Sequence, residues 1–335
     1  MTASSDSVTG GSVSTQRRSP PRAPDFFIVG HAKSGTTALY EMLRPHPQIY
    51  MPEAKEPWFL ATDMRPRFQP RRAGPGPQTL EEYLALFVGA GPEQRAGEAS
   101  SSYLWSRTAA ARIAELSPDA KIIAILREPA SFLRSLHLQL LQSHVEAKKD
   151  LGKAIALEQA RREGRHVPRH SHRPQLLQYS DHVRYVEQLR RYEQRFAPEQ
   201  MLVLIYDDFR ADNEATLRTV LRFLEVDDTR PLEVLDVNHS TLMRSQQLDD
   251  LVHALSVGSG PVFAAAKAAI KALSPAQARR RVLRFARLKI VHGEPPPPDE
   301  RLMLELRRRF KAEVVALSEH LDRDLVSLWG YDRLD

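Results

Sequence analysis

Cysteine is absent from this chain of 335 residues. The sequence therefore excludes a disulfide-stabilised framework, and it excludes every site that needs a thiolate as a metal ligand or as a nucleophile. A protein without disulfides suits a reducing compartment, and we expect a cytoplasmic location. The net charge is only +6, and we expect no nucleic-acid partner.

Long apolar runs are absent as well. No stretch of the sequence approaches the roughly 20 apolar residues that a membrane-spanning helix needs. The first 24 residues are rich in Ser, Thr, Gly and Pro and lack the apolar core of a signal peptide. They predict a disordered leader, followed by one folded domain over residues 25–335. Residues 262–292 form a basic segment, and its peripheral contact with an anionic membrane surface stays an open alternative.

The residues that are present suit a large α/β domain, since 42% are hydrophobic and 27% are charged. Apolar runs predict buried parallel strands over Phe26–Val29, Ala96–Ala99, Lys121–Leu126 and Met201–Tyr206. Helical patterns cover Thr37–Leu43, Arg107–Leu116, Ala130–Leu141, Tyr179–Phe196, Ala215–Leu224 and Glu300–Leu321. This alternation predicts a doubly wound, P-loop-like parallel sheet flanked by helices.

The segment GHAKSGTT, residues 30–37, joins the first predicted strand to the first predicted helix. Gly30 and Gly35 have the spacing of a nucleotide-binding P-loop, in which a lysine follows the second glycine. Here Thr36 takes that position, and Lys33 lies inside the loop. Backbone N–H groups in such a loop, together with a lysine, favour an anion.

Two further features indicate which kind of anion the loop binds. Hydroxyl donors follow the lysine, at Ser34, Thr36 and Thr37. A kinase or NTPase also needs an acidic magnesium ligand at a strand end. The strand Lys121–Leu126 is followed by Arg127 instead. The sequence therefore disfavours phosphoryl transfer and predicts an anion site that needs no metal.

Three segments in order, FFIVGHAKSGTTALYEML, KEPWFL and KIIAILREPASFLRSLHL, resemble the sulfotransferases that use 3′-phosphoadenylyl sulfate (PAPS). The similarity is greatest to the branch with heparan-sulfate-type and many bacterial enzymes, and it extends from Asp25 to Trp329. The resemblance implies the P-loop sulfotransferase fold. It also implies transfer of the sulfuryl group to a hydroxyl or amine, with release of adenosine 3′,5′-bisphosphate and no metal.

The resemblance implies a donor site with two parts. The loop residues that match the 5′-phosphosulfate site are Lys33, Ser34, Gly35, Thr36 and Thr37. Lys33 would stabilise the charge that develops on the bridging oxygen as sulfur departs. Arg127 and Ser135 match the 3′-phosphate site, where an arginine fork and a serine hydroxyl can both donate. Without the resemblance, a surface arginine paired with Glu128 or Asp119 and a helix-face serine would explain these two residues equally well.

The resemblance also implies a general base in KEPWFL. Glu56 matches the glutamate that removes the acceptor's proton, a role for which a nearby carboxylate is chemically suited. Glu53 is the rival carboxylate three residues earlier, and His137 is the next base to consider.

The sequence departs from the relatives that act on glycosaminoglycans. Ala99 stands where several of them have a lysine, and the cysteine-flanked late loop is missing. We therefore expect a hydroxyl acceptor on a small molecule, a lipid or a glycan. Residues 144–178 and 256–300 interrupt the αβ alternation and are predicted to cap the acceptor cleft. Arg244 and Ser245 are candidates for the rest of the 3′-phosphate site.

Two other function classes stay open at this point, a small-molecule kinase that uses ATP–Mg²⁺ and a nucleotide-binding module without catalysis. A histidine cluster, His166, His170 and His172, lacks the spacing of a metal-ligand set. We interpret it as part of a basic rim or a solvated loop.

Overall fold

The computed structural model describes residues 22–64, 76–169, 171, 173–231, 242–243, 292–293 and 297–334. Its central sheet contains β1 (Phe26–Gly30), β2 (Ile49–Tyr50), β3 (Arg95–Ala99), β4 (Lys121–Leu126) and β5 (Met201–Ile205). The strands are parallel, in the order β2-β3-β1-β4-β5. A short antiparallel pair, β6 (Leu242–Met243) with β7 (His292–Gly293), is separate from this sheet. The four predicted strands are confirmed, and β2 is too short to leave a pattern in the sequence.

Helices occupy most of the chain between the strands. They are α1 (Thr36–Leu43), α2 (Leu80–Leu84), α3 (Ala109–Leu116), α4 (Pro129–Gln142), α5 (Leu151–Ala156), α6 (Glu158–Arg162), α7 (Tyr179–His182), α8 (Tyr185–Glu193), α9 (Tyr206–Ala211), α10 (Asn213–Phe223), α11 (Glu300–His320) and α12 (Leu325–Leu328). Single 3₁₀ turns lie at Thr62–Met64, Ala85–Phe87, Pro174–Leu177 and Pro198–Gln200.

Both faces of the sheet are buried, as the near-continuous apolar strands predict. Along β1, Phe27 and Val29 belong to a core that includes residues of α3, α4, α8 and α11. Phe26 and Ile28 point the other way, into a core shared with α1 and α10. Helices on both faces of a parallel sheet confirm the doubly wound α/β architecture.

One predicted helix, Tyr179–Phe196, is two helices in the structure, α7 and α8. Gln188 of α8 donates through Nε2 to the carbonyl oxygens of Asp181 and His182, at 2.9 and 3.0 Å. These bonds satisfy the last carbonyls of α7, which a helix end leaves without partners. Tyr206, predicted as the end of the last strand, instead begins α9.

Residues 144–178, the first of the two predicted interruptions, form α5, α6 and a 3₁₀ turn. A buried ion pair fixes α6, since Arg161 donates to both oxygens of Glu146 at 2.7 and 2.8 Å. Most of the second interruption, 256–300, and most of the leader lie outside the described residues. Among the helices that the structure describes, none is long and apolar enough to cross a membrane.

The strand order reverses its direction of winding beside β1, the central strand of the sheet. The chain goes from β1 outward to β2, returns to β3 beside β1, and then crosses to β4 on the other side. In open parallel sheets, ligands bind beyond the carboxyl ends of the strands at such a reversal. The loop after β1 lies at this point.

Candidate active site

The loop between β1 and α1 has a backbone that only certain residues allow. Gly35 is the N-cap of α1 with φ of 89°, a left-handed conformation that favours glycine. A Cβ atom added there would lie 2.8 Å from two ring carbons of Phe209. Lys33 also has a positive φ, of 63°. Among the described residues, no side chain caps α1. Its first N–H groups are therefore available to an anion.

A cavity of about 340 Å³ opens beside this loop, at the carboxyl ends of β1, β3, β4 and β5. Its lining comprises Ala32, Lys33, Gly35, Thr36, Thr37, Ala38, Lys55, Glu56, Ser101, Arg127, Gln139 and Tyr206. We call it the donor cavity. It brings together six of the eight predicted site residues.

Positive charge is concentrated in the donor cavity. Arg127 donates through Nη1 to the carbonyl oxygen of Lys33 at 2.8 Å, and its guanidinium lies 4.6 Å from the centre of the Tyr206 ring. Burial, and then the charge of Arg127, lower the pKa of Lys33. The two cations therefore repel each other in a partly desolvated space, which favours binding of a multiply charged anion. Arg127 pairs with neither Glu128 nor Asp119, and its guanidinium instead donates to the backbone of the loop.

Two predicted donor residues, Ser34 and Ser135, do not line the donor cavity. Ser34 is fully buried, and its Oγ has no hydrogen-bond partner among the described residues. Ser135 is buried on α4, one helical turn before Gln139, which does line the cavity. Glu128 caps this helix by accepting from the N–H groups of its first turn.

Glu56 lies in the wall of the donor cavity with a well-defined orientation. Its Oε2 accepts from the N–H of Ser101 at 3.0 Å and from Nε1 of Trp58 at 2.7 Å. Its Oε1 accepts from the Ser101 hydroxyl at 2.7 Å and lies 3.6 Å from Nζ of Lys55. Glu56 and Trp58 both have positive φ, of 59° and 57°. Such non-glycine conformations cost about 1–3 kcal/mol each and cluster at functional sites.

The two alternative bases are placed differently. Glu53 is exposed and does not line the donor cavity. His137 is buried, with its ring nitrogens bonded to the Tyr179 hydroxyl at 2.8 Å and the Lys149 carbonyl at 3.0 Å. Burial lowers the pKa of His137. Neither residue is in position to compete with Glu56 in this cavity.

Sequence reasoning missed several residues of the site. Lys55 donates through Nζ to Oγ1 of Thr37 at 2.7 Å, so it joins the first turn of α1 to the segment that contains Glu56. Ser101 orients Glu56, and Gln139 and Tyr206 complete the wall. Lys55 could have been found from its place beside Glu56 in KEPWFL. The other three carry no signal, because they become neighbours only when separate strands are paired.

Arg173 is a further neighbour of Glu56 that the sequence did not single out. Its guanidinium carbon lies 3.6 Å from the centre of the Trp58 ring. Burial lowers the pKa of Arg173 to about 10, and the negative charge of Glu56 acts in the opposite direction. This arginine reaches the site from the segment 144–178.

A second cavity, of about 400 Å³, lies along the 3₁₀ turn Pro174–Leu177 and the helices α7 and α8. Its charged lining residues are Asp63, Arg107, Arg161, Arg162, Asp181, Arg184, Glu187 and Arg191. Gln175 and Gln178 also line it, and the Oε1 atom of each is buried without a hydrogen-bond partner in the described part of the chain.

No group of three or more His, Asp or Glu side chains within the described residues could hold a metal ion. His166 is exposed, and His170 and His172 lie outside the described residues. Arg244 and Ser245, proposed from the sequence for the 3′-phosphate, lie outside them as well, as does most of the basic segment 262–292.

Comparison with known proteins adds independent findings. Carbohydrate sulfotransferase 15 of Mus musculus is 31% identical over a match that covers 37% of this chain and 28% of that protein. Heparan sulfate glucosamine 3-O-sulfotransferase 3A1 of Mus musculus is 31% identical over 35% of this chain and 27% of that protein. The chain thus matches about a quarter of the length of these curated relatives.

The likeness to a solved structure is more extensive. The crystal structure of a sulfotransferase from Alicyclobacillus acidocaldarius superposes with a TM-score of 0.61 and 26% sequence identity, and covers 92% of this chain and 98% of that one. Residues 24–230 match the sulfotransferase family. The predicted family is confirmed: the chain belongs to the sulfotransferase family.

Proposed function

We propose that this protein transfers the sulfuryl group of PAPS to a hydroxyl group of a glycan and releases adenosine 3′,5′-bisphosphate. One observation carries the proposal: Lys33, Arg127 and Glu56 line the same cavity. The cavity thus contains both the cations that can bind a phosphorylated donor and a carboxylate that can take a proton from an acceptor hydroxyl. The glycan is supported by the names of the carbohydrate and heparan sulfate sulfotransferases that the chain resembles.

The donor cavity fits a phosphorylated nucleotide for three reasons. The first turn of α1 has no side-chain cap in the described part of the chain, so its N–H groups can bind phosphate oxygens. The buried hydroxyl of Ser34 lacks a partner among the described residues. Lys33 and Arg127 are close in a partly desolvated region, and the negative charge of a bound bisphosphate would offset their repulsion. We assign the 5′-phosphosulfate to Lys33–Thr37 and the 3′-phosphate to Arg127 and Ser135.

The proposed reaction gives Glu56 and Lys33 distinct tasks. Within the described part of the chain, Glu56 Oε1 accepts one hydrogen bond, from the Ser101 hydroxyl, and so keeps a lone pair for the acceptor's proton. As the acceptor oxygen bonds to sulfur, the bond from sulfur to the 5′-phosphate oxygen breaks. The proton goes to Glu56, and the ammonium of Lys33 stabilises the negative charge on the departing oxygen. Lys33 supplies the positive charge that magnesium supplies in kinases, so no step of this proposal uses a metal.

The donor can be tested without knowing the acceptor. Adenosine 3′,5′-bisphosphate should raise the melting temperature of the full chain in a concentration-dependent way, because a ligand of the native state contributes about 2.7 kcal/mol at a hundred times its Kd. ATP–Mg²⁺ at equal concentration should have a smaller effect. A response to ATP–Mg²⁺ alone would contradict the proposal and favour a kinase.

We also propose a cytoplasmic location, supported by the absence of cysteine from the sequence. Fractionation of expressing cells should recover the protein with soluble cytoplasmic markers. Recovery with membranes or outside the cell would contradict this location without affecting the proposed chemistry.

A further inference from the structure

His31 is a buried residue of the loop between β1 and α1, and it does not line the donor cavity. Its Nε2 atom lies 2.7 Å from Oε1 of Gln188, a buried residue of α8 that comes 157 positions later in the chain. The centre of the imidazole lies 5.0 Å from that of the Phe132 ring and 5.4 Å from that of the Tyr185 ring. The loop is thus attached to α8 through one side chain.

The amide of Gln188 has its orientation fixed by backbone groups. Its Nε2 donates to the carbonyl oxygens of Asp181 and His182, at 2.9 and 3.0 Å, and a carbonyl oxygen can only accept. Oε1 is therefore the atom that faces His31, so Nε2 of His31 carries the proton of this bond. Burial lowers the pKa of His31 to about 4, so the imidazole is neutral at pH 7. His31 anchors the loop without adding a charge to it.

The anchored residue also takes part in the backbone of the loop. The N–H of His31 donates to the carbonyl oxygen of Ile125 in β4 at 2.7 Å. The carbonyl oxygen of His31 accepts from the N–H of Ser34 at 3.2 Å. Lys33, proposed above for the 5′-phosphosulfate, lies between these two ends of the turn. A displacement of His31 would therefore displace Lys33 with it.

The same helix contacts the other half of the donor site. Tyr185, a fully buried residue at the start of α8, donates through its hydroxyl to the carbonyl oxygen of Arg127 at 2.8 Å. Gln188 lies three positions after Tyr185, so both side chains project from one face of the helix. One helix thus holds the loop proposed for the 5′-phosphosulfate and the arginine proposed for the 3′-phosphate.

We propose that Gln188 and Tyr185 of α8 are positioning residues for the donor, Gln188 through His31 and Tyr185 through Arg127. This inference rests on the proposed function and adds residues that act on the donor without touching it. The two phosphate groups of the donor have a spacing set by one ribose. A site in which both halves are held in advance at that spacing binds such a ligand with a smaller loss of entropy.

The test uses three ligands that need no acceptor: adenosine 3′,5′-bisphosphate, adenosine 5′-monophosphate and adenosine 3′-monophosphate. Their dissociation constants would be measured by isothermal titration calorimetry, with displacement titrations for the weaker monophosphates. The full-length proteins are the wild type, His31→Leu, His31→Gln, Tyr185→Phe and Tyr192→Phe. Tyr192 is the matched control, because it is buried in the same helix and its hydroxyl donates at 2.9 Å to the carbonyl oxygen of Tyr103, which does not line the donor cavity.

Each variant should weaken only the ligands whose phosphate its residue serves. His31→Leu should raise the Kd of the bisphosphate and the 5′-monophosphate about three- to tenfold, as the loss of one hydrogen bond does, and leave the 3′-monophosphate nearly unchanged. Tyr185→Phe should instead weaken the bisphosphate and the 3′-monophosphate. His31→Gln offers an amide N–H to Gln188 and should recover most of the loss. Tyr192→Phe should lower the melting temperature and keep all three affinities.

An equal loss of affinity for all three ligands would show that α8 only stabilises the fold, and it would overturn the positioning role. Unchanged affinities in His31→Leu and Tyr185→Phe would overturn it as well. If His31→Leu does not fold, Tyr185→Phe decides, because it keeps the buried ring: a loss confined to ligands with a 3′-phosphate supports the proposal, and any other pattern contradicts it. A wild type that binds none of the three nucleotides would overturn the proposed function itself.

Discussion

The donor cavity and the second cavity are assembled from the chain in different ways. The donor cavity lies at the carboxyl ends of four neighbouring strands, and the loop at its centre is one continuous segment between β1 and α1. The second cavity draws on helices and turns from residues 63–64, 105–107 and 161–191. A parallel sheet fixes the first arrangement, whereas the second depends on how remote segments pack. The comparison teaches that the first cavity follows from strand order, whereas the second depends on side chains that helix packing brings together.

Glu56 lies in the wall of the donor cavity, and its substitution should have the largest effect. Glu56→Gln should lower sulfuryl transfer by about two to four orders of magnitude, the usual reach of general-base catalysis. An amide can still accept from Trp58 and the Ser101 N–H and donate to the Ser101 hydroxyl, so the fold should persist. Rates with an alkyl alcohol and a nitrophenol would be compared, and the phenol should lose less because it ionises more readily.

Glu53→Gln is the matched control for Glu56, since Glu53 is exposed and only three residues away. It should leave both rates nearly unchanged. Normal turnover of both acceptors by Glu56→Gln would contradict the assignment of the base.

Lys33 tests the donor cavity itself. Lys33→Ala should lower kcat by about a hundred- to a thousandfold, as removal of one transition-state electrostatic donor does. Much of the affinity for adenosine 3′,5′-bisphosphate should remain, because the loop N–H groups are unchanged. Single-turnover rates and thermal shift would separate the two effects. Lys153→Ala removes an exposed lysine and should alter neither; a loss of affinity without a loss of kcat in Lys33→Ala would show that Lys33 only binds.

Substitution of Arg127 should affect the binding of PAPS and leave the rate of sulfuryl transfer largely unchanged. Arg127→Ala should raise the KM for PAPS about ten- to a hundredfold, since a hydrogen bond to a charged group contributes about 1.5–3 kcal/mol. Ser135→Ala should act in the same direction with a smaller effect. Turnover at saturating PAPS should be largely kept, because the 3′-phosphate is remote from sulfur.

The exposed Arg195 provides the control for Arg127, and Arg195→Ala should keep the KM for PAPS. An unchanged KM in Arg127→Ala would remove this arginine from the donor site. The same variant also loses the bond to the Lys33 carbonyl, so bisphosphate binding must be measured alongside.

Glu98, a fully buried residue of β3, tests the stability of the sheet, and its substitution should have the smallest effect. Burial raises the pKa of Glu98 from 4.5 to about 7. The folded state thus holds this proton more tightly than the unfolded state, so stability should fall as pH rises from about 4.5 to 7 and then level off. Each pKa unit corresponds to about 1.4 kcal/mol.

Glu98→Gln removes this titration and can still accept from the Tyr83 hydroxyl, now 2.9 Å from Glu98 Oε2. The melting temperatures of wild type and variant should therefore diverge by a few degrees between pH 5 and pH 8, with the wild type losing more. Glu115→Gln, at an exposed position, should follow the wild type. Parallel curves for wild type and Glu98→Gln would show that Glu98 does not titrate in this range.

Local patterns were enough to predict the fold, because parallel strands buried on both faces are apolar over their whole length. The runs at Phe26–Gly30 and Lys121–Leu126 show this. Patterns failed at the break between α7 and α8, because the apolar periodicity is continuous across it. There Gln188 of α8 donates to the carbonyl oxygens of Asp181 and His182, a side-chain contact that periodicity does not show.

By itself, the sequence determined the parallel sheet, the phosphate loop with Lys33 and the resemblance that singled out Glu56 and Arg127. All of these depend on short segments, in which strand burial or loop geometry restricts the residue types. Only the tertiary structure decided that Ser101 orients Glu56 and that Arg173 stacks on Trp58 beside it. Those contacts join residues 45 and 115 positions apart in the chain. Side-chain packing between such segments leaves no periodic trace, so it becomes visible only when strand pairing and helix packing bring the segments together.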